Sequence, residues 1–435
     1  MESKLKRLAH ILHSYLQTKC WRSFGSRLEL EAHQQKLWQK QSTFLTQNSS
    51  FYKKYNGLTL NEYPLMSKSI MMSEFDKINT KNLTKNECLD VALKSEESRD
   101  FSPMIEEVSV GLSSGTSGNR GLFLADETER ARWAGIILAK ALPQHILHPQ
   151  RIALFLRANN NLYTTLSSNK IQFQFFDLIE KLDAHIDRLN IYQPTILVAP
   201  PSMLRMLAKS TGLKINPKRI FSAAEVLDPI DESFLTKRFQ QPIHQLYQCT
   251  EGFLGASCSH GTIHLNEDYI IIEKEWIDKK NRKFIPIITD LERKTQPIIR
   301  YRLNDVLTEK KNPCSCGNPA IAIEQIEGRA DDIFYFTSLE NKLEPIFPDF
   351  LRRRILQADD SIEEYVIKQH SPLKLEVSLF GGNEEKVRAQ MTHFFKQQKL
   401  QLPDLFFSVY QKPEGLKKMK RVERLFTPES EDLIL

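Results

Sequence analysis

Glycine is scarce in this sequence, 16 among 435 residues, about half of what ordinary usage near 7% would supply. A local cluster of glycines is therefore informative, because it marks backbone that needs freedom other residues lack. Long apolar runs are missing too, and no stretch approaches the roughly 18 residues of a membrane-spanning helix. Residues 1–21 carry charges and histidines throughout and do not read as a secretory signal, which needs an apolar core of about 7–15 residues. The six cysteines, Cys20, Cys88, Cys249, Cys258, Cys314 and Cys316, are too sparse for a disulfide framework, and a reducing cytoplasm is the expected compartment. Neither sign of charge dominates: 60 basic against 54 acidic residues leave +6. That balance permits a small polyanionic ligand and gives little support to nucleic acid or membrane as partner. With 41% hydrophobic and 26% charged residues the composition is that of a globular protein, which excludes disordered and collagen-like chains. The length suits two or three domains.

What is present alternates. Between about 106 and 247, apolar runs of strand length (107–111, 151–155, 171–175, 195–199, 220–224 and 245–249) are separated by helical patterns. Asp126 is placed to N-cap a helix, Glu129 completes a capping box, and Pro143 stops it. Leu178, Leu182, Ile186 and Leu189 make a second apolar stripe at helical spacing. Residues 28–48 read as a polar, glutamine-rich helix. Strands alternating with helices imply βαβ units and a mostly parallel sheet, whose ligands collect at the carboxyl ends of its strands. After Cys249 the segments 269–274, 284–289 and 297–306 are β-rich with no long helix between them, predicting an antiparallel subdomain. From about 331 a smaller α+β pattern follows: helices over 348–357 and 383–398, strands near 365–369, 373–380 and 405–410. The expected fold is α/β, with a large N-terminal domain over 1–328 and a small C-terminal one over 329–435.

Four of the 16 glycines fall in Gly111-Leu-Ser-Ser-Gly-Thr-Ser-Gly-Asn-Arg-Gly121, with three serines and a threonine, directly after an expected strand. Small residues let successive N–H groups point inward and hydroxyls add donors, which suits phosphate. The segment is neither the G-x-x-x-x-G-K-[ST] loop nor G-x-G-x-x-G. Downstream stand Ser222-Ala-Ala-Glu225, Tyr247-Gln-Cys-Thr-Glu251, Arg300-Tyr-Arg-Leu-Asn-Asp305, Glu327-Gly-Arg-Ala-Asp-Asp332 and Lys417-Lys-Met-Lys-Arg421. Each alone fits a strand end, a salt-bridged corner or a solvated basic run. Cys258-Ser-His-Gly-Thr-Ile-His264 and Pro313-Cys-Ser-Cys-Gly317 form a second constellation. Cysteine and histidine are zinc ligands, and these two pairs have the composition of a tetrahedral Cys₃His site.

In this order and at these separations the downstream motifs resemble the adenylate-forming superfamily of acyl- and aryl-CoA synthetases, luciferases and peptide-synthetase adenylation domains. Tyr63-Pro-Leu-Met-Ser-Lys68 and the run from Met72 to Asn79 are similar, more narrowly, to the phenylacetate–CoA ligase and coenzyme F390 synthetase-like branch. The resemblance implies activation of a carboxylate with Mg²⁺ and ATP, giving acyl-AMP and pyrophosphate, then transfer to a thiol of CoA or of an acyl carrier protein. Ser113, Ser114, Gly115, Thr116, Ser117 and Gly118 would cradle the β- and γ-phosphates. Ala223, Ala224 and Glu225 would line the adenine, with Tyr247 stacked on it. Thr250 would reach the α-phosphate, Glu251 would hold Mg²⁺, and Asp305 would accept the ribose hydroxyls with Arg329 nearby. Lys418 would neutralise the charge that grows during adenylation, with Lys417 as rival. The resemblance further implies a structural Zn²⁺ on Cys258, His264, Cys314 and Cys316, His264 matching better than His260, an aromatic or similar acid, and a homodimer as the candidate assembly.

Three departures stand out. The loop ends Gly-Asn-Arg-Gly where relatives end Gly-x-Pro-Lys, leaving Arg120 as the substitute cation. Lys418 is not preceded by glycine, and the segment after Asp332 has no nearby glycine, so adenylation is expected more firmly than CoA as acceptor. Two alternatives remain: nucleotidyl transfer onto a phenol, and a non-catalytic nucleotide-binding partner protein. Phe173, Phe175, Phe176 and Trp133 read as core as readily as ligand contacts.

Overall fold

The computed structural model of the chain describes residues 2–98, 100, 103–113, 121–156, 170–178, 180, 182–359, 361–411 and 420–428, without the side chains of 2–4, 96 and 349. Its centre is a 12-stranded mixed sheet. Five neighbouring strands run parallel, in the order Ile171–Asp177, Gln150–Leu156, Ile196–Ala199, Arg219–Ala223, Ile243–Cys249. The chain then reverses at Cys249, and Gly252–Ser257, Ile263–Leu265, Ala322–Arg329, Asp305–Glu309, Lys283–Asp290 and Ile270–Asp278 continue the same sheet in antiparallel pairs. The β-rich region is thus an extension of the parallel sheet, with one apolar core running beneath both parts.

Two expected strands differ. The first, 107–111, forms as Val108–Leu112 but lies outside the parallel sheet, in an antiparallel three-stranded sheet with Met104–Ile105 and Leu122–Ala125. The connection 113–121 is shorter than the dozen or so residues that a parallel crossover needs, so the chain returns as a hairpin. The second, 297–306, is split into Tyr301–Arg302 and Asp305–Glu309. Arg300 turns left-handed at φ +44°, and the backbone of Met66 takes the freed pairing groups, its N–H donating to the Arg300 carbonyl at 2.8 Å and its carbonyl accepting from the Arg302 N–H at 2.9 Å.

Helices pack where their burial patterns direct. In Arg27–Asn48 the buried residues Leu30, Gln34, Trp38, Gln41 and Leu45 recur every three or four positions. The polar members of that stripe are satisfied: Gln34 donates to the carbonyls of Glu267 and Ile270 at 2.9 and 3.1 Å, and Gln41 to that of Arg293 at 2.6 Å. The Asp126 capping box forms as expected on Glu127–Ala141. That helix crosses the first, Glu2–Leu16, at Gly135, where a Cβ would stand 2.4 Å from the Ile11 carbonyl oxygen. Trp133 and Phe173 are partly buried against the central core, and Phe176 is fully buried in a second one.

Residues beyond 333 build a core of their own around Phe336, Leu351, Tyr365, Val377 and Phe394. Strands Glu364–Ser371 and Lys374–Phe380 pair antiparallel, flanked by parallel strands Val422–Arg424 and Asp404–Val409. Helices Pro348–Ala358 and Glu384–Gln397 complete this part.

Candidate active site and metal centre

Adjacent parallel strands Arg219–Ala223 and Ile243–Cys249, in register at Ala223 and Leu246, bring two of the sequence motifs side by side at their carboxyl ends. Immediately after the first, Ala224 adopts φ +67°, a conformation costly for any residue with a Cβ. The Glu225 carboxylate accepts from the Ser202 N–H at 3.3 Å, at the start of helix Pro201–Lys209. On the second strand the Tyr247 hydroxyl donates to Asp305 Oδ2 at 2.6 Å. Burial, and then the Asp305 charge, push that hydroxyl well above the ordinary phenol range, so Tyr247 remains a donor. Asp305 itself stands opposite Arg329 in the antiparallel ladder.

Thr250 and Glu251 form the turn between Cys249 and Gly252. The buried Tyr301 hydroxyl hydrogen-bonds the Glu251 carboxylate, and burial together with that charge raises its pKa. Arg293 holds the turn from below, donating to the carbonyls of Thr250 and Glu251 at 3.2 and 2.8 Å. The same guanidinium reaches Gln296 Oε1 at 3.1 Å, and that oxygen accepts the Leu124 N–H at 3.0 Å. One clip therefore joins the Thr250–Glu251 turn to the small sheet that carries the glycine-rich loop.

The ends of that loop are closed. The Ser113 N–H donates to the Gly121 carbonyl at 2.8 Å, and the Gly121 N–H donates to Ser113 Oγ at 2.8 Å. Lys68 Nζ stands 3.5 Å from Ser113 Oγ. Ser114, Gly115, Thr116, Ser117, Gly118 and Arg120 lie outside the described residues, as do Lys417 and Lys418. Sequence reasoning missed Arg293 and Gln296 as parts of the site. Lys68 sat inside the Tyr63–Lys68 motif, which signalled a family branch and not a side chain beside the loop.

The cysteine–histidine set converges. Single ligand atoms of Cys258, His264, Cys314 and Cys316 lie within 4.8 Å of one another. The Cys258 and Cys314 sulfurs are 3.8 Å apart, and Cys316 Sγ is 3.3 Å from His264 Nε2. A tetrahedral zinc with Zn–S bonds near 2.3 Å requires sulfurs about 3.8 Å apart, so the residues fit the ion. The other ring nitrogen, His264 Nδ1, lies 3.2 Å from the Ala320 carbonyl, the outer contact that directs Nε2 inward. His260 instead faces Ser315 Oγ at 3.0 Å. Burial pushes the Cys314 thiol up, but hydrogen bonds from the Cys316 N–H and the His264 side chain outweigh it and leave it at about 6. Burial and the neighbouring thiols carry Cys316 to about 11.

A groove of about 830 Å³ lies beside this cluster, lined by Glu232, Gln245, His260, Lys310 and Glu324 among others. Tyr247, Glu251 and Asp305 are not among its lining residues, so the groove and the cluster of strand-end motifs are separate features. Burial raises the Glu232 pKa, reinforced by Glu324. Among the described residues no helix is long and apolar enough to cross a membrane.

No family model matches the chain. A stretch of 161 residues is 27% identical to protein CapK of Staphylococcus aureus and covers 35% of each protein, so the match spans about a third of that relative. The fold is shared far more widely. A 2-hydroxyisobutyryl-CoA ligase in its postadenylation state, bound to 2-HIB-AMP, superposes with a TM-score of 0.61 at 14% identity over 98% of this chain and 89% of that one. The same ligase with 2-HIB-AMP and CoA in its thioesterification state gives 0.50 at 16% identity over 91% and 90%. The amide bond synthetase McbA of Marinactinospora thermotolerans gives 0.53 at 11% identity over 71% and 68%. The architecture is that of the adenylate-forming ligases.

Proposed function

We propose that the chain is an ATP-dependent carboxylate-activating enzyme that forms an acyl-adenylate, releases pyrophosphate and passes the acyl group to a thiol. The observation that carries this reading is the convergence of Ala223–Ala224, the Tyr247–Asp305 pair and the Thr250–Glu251 turn at strand ends of the central sheet. Asp305, oriented by Tyr247, accepts the ribose hydroxyls, with Arg329 opposite it in the ladder. Tyr247 presents a ring to adenine beside Ala223, Ala224 and Glu225. Thr250 meets the α-phosphate. The loop from Ser113 to Gly118 supplies N–H and hydroxyl donors to the β- and γ-phosphates, and Lys68 places a cation at its base. Mg²⁺, a hard ion suited to the Glu251 carboxylate, would neutralise phosphate charge when bound. Lys418 stabilises the negative charge that builds as carboxylate oxygen bonds to the α-phosphorus and pyrophosphate departs.

The finer reading assigns residues 1–328 to the nucleotide- and acid-binding domain and 329–435 to a mobile one. It takes the phenylacetate–CoA ligase-like branch as the nearest chemistry, an aromatic or similar acid as substrate, and CoA or a carrier-protein phosphopantetheine as acceptor. Cys258, His264, Cys314 and Cys316 hold a structural zinc, with no ligand left over for catalysis. The test is carboxylate-dependent exchange of labelled pyrophosphate into ATP across a panel of acids. Lys418→Ala should abolish exchange while leaving the melting temperature unchanged; full exchange in that variant would transfer the role to Lys417. A stable adenylylated product would point to nucleotidyl transfer instead.

A further inference from the structure

Asp231 is completely buried and has no place in the nucleotide chemistry. It lies in the first turn of helix Pro229–Phe239, whose N-cap is Asp228. Arg205, from helix Pro201–Lys209, donates to its Oδ1 at 2.8 Å. Arg421, from the far end of the chain, reaches Oδ2 at 2.6 Å and Oδ1 at 3.2 Å. Glu364 then ties the two arginines together, with Oε1 2.7 Å from Arg205 and Oε2 2.9 Å from Arg421. Beside them the buried Tyr365 hydroxyl donates to Asp228 Oδ2 at 2.5 Å. Arg205, Asp228 and Asp231 belong to the first part of the chain. Glu364, Tyr365 and Arg421 belong to the part with its own core, so the cluster is a seam between the two.

Such a seam behaves differently from an apolar one. Removing any charged partner leaves the others desolvated with too little countercharge, so the cluster is favoured either fully assembled or taken apart with its ions returned to water. It thus favours two discrete arrangements over a continuum. Arg421 is also held through its backbone, its carbonyl accepting from the Ile367 N–H at 2.8 Å, just before strand Val422–Arg424 begins. In sequence it follows Lys418 by three positions.

We propose that Asp231 is a positioning residue for adenylation: by gripping Arg421 it holds the second core, with strand Val422–Arg424, against the first in the arrangement that adenylation uses. This rests on the adenylation reading above. In full-length protein Asp231→Asn should lower the kcat of pyrophosphate exchange about tenfold or more with KM for ATP unchanged. Thioester formation from supplied acyl-adenylate should change less than about twofold or rise, and Asp231→Glu should restore part of the exchange. Equal losses in both half-reactions, or none in either, would overturn the proposal. Glu364→Gln, at the edge of the cluster, serves as the milder variant should Asp231→Asn fail to fold, with the same split expected. Small-angle scattering gives a readout independent of activity. The proposal requires both variants to be more extended than the parent protein, and superimposable profiles would sink it. Absence of exchange in the parent with every acid would defeat the enzyme reading, while the scattering comparison would still decide whether the seam is a latch.

Discussion

At the scale of single residues, the Tyr247–Asp305 hydrogen bond gives the sharpest expectation. In the proposed function Asp305 meets a ribose diol, a role that needs its orientation fixed beforehand, and the buried phenol holds that carboxylate. Tyr247→Phe should raise the KM for ATP about tenfold, the effect of losing one charge-assisted hydrogen bond of roughly 1.5 kcal/mol, with kcat for exchange less affected; an unchanged KM would make the pair purely structural. For the metal centre, His264→Ala should reduce the zinc of purified protein from near one to below about 0.2 equivalent, and His260→Ala should retain it. Elemental analysis decides, and zinc lost only from the His260 variant would reverse the assignment. That these residues form candidate sites was legible because each is a chemical group of narrow use in an ordered motif. Arg293 and Gln296 were not: their contacts, with Thr250 at a separation of 43 residues and Leu124 at 172, exist only once the fold brings distant backbone together, and nothing in their local sequence announces it.

At the scale of elements, local signals performed according to how local their cause is. The capping box at Asp126 and Glu129 formed as read, because it is decided within four residues. The sorting of Val108–Leu112 failed, because strand direction depends on the length of the connection that follows, not on the strand's composition. The glutamine-rich helix read only as polar, yet two of its amides are buried on carbonyls of the antiparallel region. Gly135 shows the same limit. A glycine inside a helix reads as a weakness, whereas the crossing with Glu2–Leu16 leaves room for no side chain. Gly135→Ala should therefore destabilise by about 1–3 kcal/mol through overpacking, despite alanine's higher helix propensity. Calorimetry showing an equal or higher melting temperature would mean that the first helix does not pack tightly there.

At the scale of the whole molecule, the continuity of parallel and antiparallel strands in one sheet gives acid a single structure to undermine. Two histidines are built into it or against it. His185 is fully buried with its ring 5.1 Å from that of Phe155, and His244, on a central strand, lies 5.5 Å from Phe221. Burial pushes both below the ordinary histidine value of 6.5, Glu180 only partly opposing it for His185 and Arg219 adding to it for His244. The unfolded chain then takes up protons near pH 6.5 while the folded one does not, so stability must fall as pH drops from about 6.5 toward the folded values. The buried carboxylates Asp290 and Asp332 act with the opposite sign. Burial raises them above their ordinary 3.8, so the folded chain holds their protons more readily, and any gain on acidification begins only near those folded values and is complete below the unfolded one. The two histidines should accordingly lower the melting temperature as pH falls from 6.5 to 5.5. His185→Asn should melt lower at pH 7.5 but with a shallower decline, because the proton uptake that drives it has been removed. Parallel declines in the two proteins would place the acid sensitivity elsewhere, with zinc release from the Cys258, His264, Cys314 and Cys316 set as the first alternative, recognisable by free zinc appearing over the same pH range.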